Sequence, residues 1–94
     1  MSDSQAETTP QPLNVHGFLA VMTDQLAAIA WQKMGLQADP MTGKVERDLA
    51  QARVAIDVAE SVAKTLESEL DEEDKRQMRN LIRDLKVNYV EQSK

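Results

Sequence analysis

The run Asp39-Pro40-Met41-Thr42-Gly43-Lys44 holds an acid, a hydroxyl and a Gly-Lys pair, ingredients shared with phosphate-binding loops. A loop of the form G-x-x-x-x-G-K-[ST] cradles phosphate with backbone N–H groups, a lysine and a magnesium-binding hydroxyl. Here Ala38 stands where the first glycine is needed, and Val45 stands in place of the hydroxyl. What remains is a small anion held by the N–H groups of a helix start, with Lys44 beside it. A turn accounts for the same residues without a ligand. Asp39 accepts backbone N–H bonds, Pro40 pre-sets φ at the next position, and Thr42 or Gly43 caps the helix that follows. With Gly43 as cap, Glu46 falls at the third helical position and reaches back to the cap N–H.

The other chemistry-bearing residues are sparse. His16 is the only histidine and no cysteine is present. A catalytic imidazole needs an orienting partner, and a zinc site needs three or four ligands. Asp71, Glu72, Glu73 and Asp74 form a solvated acidic run rather than a pair held apart in an apolar pocket, as acid-base chemistry requires. We therefore expect a non-enzyme with no cofactor and no metal, and no small-molecule ligand is evident. Arg76, Arg79, Arg83 and Lys86 step by three and four, which places them on one side of a helix. They are either a strip for an acidic partner or RNA, or a solvated side answering the acidic helix before it. Asp84 interrupts the strip. The net charge of −5, with 16 acids against 11 bases, disfavours general nucleic-acid binding, because phosphate backbones reward positive surfaces.

Three helices must position these residues. The polar stretch 1–12, with Pro10 and Pro12, has no periodicity and reads as a disordered tail. Over 14–34, Val15, Leu19, Met22, Leu26 and Ile29 recur at helical spacing, Asn14 suits an N-cap and Gly35 a left-handed residue past the end. Over 45–68, Val45, Leu49, Ala52, Ile56, Ala59, Ala63 and Leu66 keep the same rhythm, and Leu70 continues it. Over 71–92, Met78, Leu81, Ile82, Leu85 and Tyr89 form the stripe, behind acids that suit the positive end of the helix dipole. Asp74 and Gln77 break the register between the last two segments, which predicts a turn there. The expected fold is all-α: an antiparallel three-helix bundle over 13–94, following the tail.

The first helix is apolar on too many sides. Between residues 14 and 34 only Asp24 and Lys33 are charged. If Val15, Leu19, Met22 and Leu26 face the core, then Ala20, Ala27, Ala28 and Trp31 lie roughly opposite and need cover. A tryptophan beside small residues is a common interface anchor, so these four are the expected contact for a protein partner or a homo-oligomer. The alternative is that Trp31 folds back on Met34 or Met41 of its own chain. No stretch of eighteen apolar residues spans a membrane and no secretory leader opens the chain. A cytoplasmic protein is expected.

Pro40-Met41-Thr42-Gly43-Lys44-Val45-Glu46, then Asp48-Leu49 and Ala55-Ile56-Asp57, resembles the central signature of a bacterial family catalogued only as domain of unknown function 1844. Leu81, Asp84-Leu85-Lys86 and Tyr89-Val90-Glu91 are similar to its final helix. The resemblance covers about residues 15–91, with Asp39 where members often have Asn. It implies a small all-helical cytosolic protein. The family has no established activity, so no catalytic residues carry over.

Overall fold

A computed structural model describes residues 14–94. The tail expected over 1–12 lies outside the described residues. The chain forms α1 (Val15–Lys33), α2 (Leu49–Leu66) and α3 (Glu72–Ser93), with a single 3-10 turn at Glu67–Glu69 between the last two. Among the described residues the one β-type pairing is an antiparallel bridge between Met34 and Arg47.

A side chain sets each helix start. Asn14 accepts a hydrogen bond from the Gly17 N–H at 3.1 Å, and Asp71 accepts one from the Asp74 N–H at 2.8 Å, both near the expected starts. The second helix departs from expectation. It begins at Leu49 rather than 45, because Asp48 is the cap and accepts from the Gln51 N–H at 3.1 Å. The preceding loop closes on itself instead of entering a helix. Asp39 O accepts from Gly43 N, Asp39 Oδ1 accepts from Met41 N, and Asp39 N donates to Lys44 O. Gly43 takes φ +71, which only glycine adopts without strain and which no helical residue shares. The chain then runs extended, and Asp48 N donates to Lys33 O at 2.7 Å, tying the foot of α2 to the end of α1.

α1 and α2 pack antiparallel through an alanine seam. Ala27, Ala30 and Met34 meet Ala52, Ala55, Ala59 and Ala63, all buried. Thr23 is buried in the same row and donates its hydroxyl to Leu19 O at 2.9 Å, so no polar atom is stranded there. Ile82 and Leu85 of α3 complete the core beside Ile56, with Trp31, Leu81 and Tyr89 packed at its margin. α3 touches α2 far more than α1.

The seam corrects the expected orientation of the first helix. Val15 and Ile29, assigned to the core by spacing, are exposed, and Leu19, Met22 and Leu26 are half-buried. Alanines on α2 bring its backbone close, and the separation of two helices is set by the side chains between them, within about 8–10 Å. Only a row of small residues on α1 fits that approach. A Leu-Met row would hold the helices apart.

Candidate interaction surface

Three surfaces follow from the way the seam is turned: one side of the α1–α2 pair, the Asp39–Lys44 loop, and the groove between α2 and α3. At about 100° per residue, Ala20, Asp24 and Trp31 lie on one flank of the α1 seam, and Ile56, Glu60 and Glu67 lie on the same flank of α2. That flank receives α3: Ala20 and Asp24 line a crevice with Asp74, Gln77, Met78 and Leu81, and Lys86 reaches Glu60.

Among the described residues no third helix packs on the opposite flank. α1 presents Leu19, Met22, Leu26 and Ile29 there, with Val15 and Phe18 at the edge; α2 presents Val54, Val58 and Val62. Counting outward from the Met34–Arg47 bridge, Val54 lies level with about residue 27, Val58 with about 23 and Val62 with about 19, so the two rows interleave. Val15, Phe18, Ile29, Val54 and Val58 each leave between 41 and 63 % of their surface open. The polar members on α2 are Gln51, Ser61 and Thr65, all uncharged, while Arg53, Asp57, Glu60 and Lys64 turn the other way. Lys33 is the one formal charge bordering the α1 row.

The residues expected to form an interface do not make one patch. Ala27 is buried inside the seam, Ala20 is half-buried in the α1–α3 crevice, and Ala28 is exposed. Trp31 is half-buried and packs on the core that holds Met34, and its carbonyl accepts from Leu36 N at 3.0 Å. Met41, by contrast, is 90 % exposed. The open apolar surface therefore lies on the other side of α1. Its signal in the sequence is the uncharged row Gln51, Val54, Val58, Ser61, Val62 and Thr65, which shares one side of the second helix.

Lys44 is exposed in the loop ahead of the extended segment, with its N–H donating to Thr42 Oγ1 at 3.2 Å. The helix start expected beside it does not exist there; α2 begins at Leu49, where the Asp48 carboxylate accepts from the Gln51 N–H. This is a turn held by Asp39.

The basic strip divides. Arg76 pairs within α3 to Glu73, whereas Arg79 crosses to Glu67 on the 3-10 turn at 3.3 Å and Lys86 crosses to Glu60 on α2. Among the described residues Arg83 pairs only with its sequence neighbour Asp84, at 3.5 Å. Glu60 also lies 3.9 Å from Lys64. The Lys86 hydrogen bond holds its carboxyl below the usual 4.5; burial opposes this, and the charges of Lys86 and Lys64 add to it. Between α2 and α3, Glu60, Lys64, Glu67, Arg79, Arg83 and Lys86 rim a groove of about 380 Å³.

His16 is exposed in the first turn of α1, and among the described residues no three His, Cys, Asp or Glu side chains converge as metal ligands. No helix among them is long and apolar enough to cross a membrane. No curated protein and no solved structure matches the chain. A family profile described as Domain of unknown function (DUF1844) matches residues 17–91, from the first turn of α1 to the last turn of α3. With nearly the whole helical domain inside that match, the chain belongs to the DUF1844 family.

Proposed function

We propose that this protein is a helical interaction module that self-associates through the uncharged flank of the α1–α2 pair. The observation that carries the proposal is the apolar flank that α3 leaves uncovered, with Val15, Phe18, Ile29, Val54 and Val58 exposed and Leu19, Met22, Leu26 and Val62 half-buried between them. The flank runs about 20 Å along two helices about 8–10 Å apart, some ~600 Å² per copy with side-chain relief, or about 1,200 Å² for a pair. That reaches the lower end of stable protein interfaces. A second copy supplies an equally uncharged surface, so no charge is buried without a partner. Two hairpins stacked this way make a four-helix core with each α3 outside. The chain acts in this reading by binding rather than by turning over a substrate. A cytoplasmic setting, which suits a cysteine-free chain, belongs to the same proposal.

Sedimentation equilibrium tests it. The wild type is expected at twice the chain mass at roughly 100 μM, a concentration at which an interface of this size associates. Val58→Asp and Met22→Asp are expected at the mass of one chain with helical content unchanged. A wild type of single-chain mass at that concentration overturns self-association. A wild type of double mass that neither variant reduces moves the interface off this flank.

A further inference from the structure

We propose that the groove between α2 and α3 is a separate docking site for an acidic amphipathic helix of another protein. Its floor is apolar: Ala63 from α2, and Met78 and Ile82 from α3. Val87 is 53 % exposed at the outer edge of the groove, beyond Arg83, and offers an incoming side chain an apolar contact there. Its rim is cationic. Arg79, Arg83 and Lys86 run along one wall and Lys64 stands on the other. Two carboxylates, Glu60 and Glu67, share the same rim and offset Lys86 and Arg79. Among the described residues Arg83 has only Asp84 beside it and Lys64 only Glu60, which it shares with Lys86, so both remain under-neutralised. The rim is thus locally positive on a chain whose net charge is −5.

The arrangement of the cations selects the occupant. From Arg79 to Lys86 the wall extends about 10 Å at 1.5 Å per residue, with steps of four and three. Acids on the two borders of a partner helix's apolar stripe reach Arg83 on one wall and Lys64 on the other, with its apolar residues facing the floor between them. A fatty acid carries one carboxylate at one end and answers either Arg83 or Lys64, which stand on opposite walls, but not both. A nucleic-acid backbone brings phosphates against Glu60 and Glu67. The groove lies on the opposite side of α2 from Val54 and Val58, so occupancy here is independent of self-association.

The test uses the full chain with isotope-labelled methyl groups and two synthetic amphipathic helices. Both carry the same leucine stripe, one flanked by glutamate and the other by lysine. The glutamate peptide is expected to shift the Val87 and Ile82 methyl resonances. Its affinity is expected to fall about tenfold in Arg83→Glu, and again with added salt, because charge pairs at a rim are screened. The lysine peptide is expected to bind at least about tenfold more weakly. Arg83 makes no cross-helix pair, so its reversal leaves the fold intact; Lys64→Glu is the second variant and reports the same loss. Absence of Val87 and Ile82 shifts with the glutamate peptide overturns the proposal. So does equal binding of both peptides, or displacement of those shifts onto dodecanoate or an oligouridylate in its place.

Discussion

Glu60 sits between Lys64 and Lys86, and its carboxyl is held below the ordinary 4.5, first by the Lys86 hydrogen bond. A carboxylate whose folded value is depressed contributes stability that is full above its unfolded value and is lost as pH falls through the folded one. The pair therefore matters from about neutral pH down to 4.5 and fades below it. NMR titration of the Glu60 carboxyl carbon is expected to show a midpoint below 4.5, moving back toward 4.5 in Lys86→Met. The stability change in that variant is expected to stay below about 1 kcal/mol, since both groups are substantially solvated. Gly35 gives a different residue-scale test. Its φ of +83 is left-handed, and a Cβ there meets only the Arg47 side chain, no nearer than 3.5 Å. Gly35→Ala is therefore expected to cost about 1 kcal/mol in urea unfolding, from backbone strain rather than crowding.

Among the elements, the helix start near Asn14 was legible from a capping candidate ahead of an apolar repeat, and the start near Asp71 from its acidic first turn and the break in register before Met78. The start of the second helix was not. Thr42, Gly43 and Asp48 all suit a cap, and Val45 lies in register with Leu49. What decides among them is a tertiary contact, the pairing of Met34 with Arg47 and of Asp48 N with Lys33 O, which holds the intervening residues extended. Asp48→Ala is expected to cost about 1 kcal/mol, as loss of a cap does. Thr42→Ala is expected to leave the urea midpoint nearly unchanged, which the same denaturation series checks. The seam makes a sharper demand. Ala59 has no exposed surface and faces the α1 backbone, so Ala59→Leu is expected to destabilise by about 1–3 kcal/mol through overpacking.

The whole molecule is a close pair of helices with a third held mainly by one of them. α3 meets α2 through Ile82, Leu85 and the Lys86–Glu60 ion pair, and touches α1 less. Hydrogen exchange is expected to be faster across α3 than at the centres of α1 and α2, since local opening tracks the apolar contact that holds an element down. Equal protection in all three helices is the contrary result. Trp31 separates the two orientations of α1 at this scale. It packs on the core, so Trp31→Asp is expected to unfold the chain, measured as lost helicity, whereas Val58→Asp keeps helicity and changes only the mass.

The residues themselves determined three helices, two of their three starts, the turn around Asp39 and the scarcity of charge on the first helix. Each of these is a local property, set by spacing, caps and glycine. Which side of the first helix faces inward was not local. Its Leu-Met row and its alanine row are both apolar arcs of one wheel, and spacing alone favours the bulkier. The choice falls to the second helix, whose alanines admit a partner only at close range. That constraint exists between two backbones and in neither segment alone, and it is what turned the larger side chains outward to form the open flank.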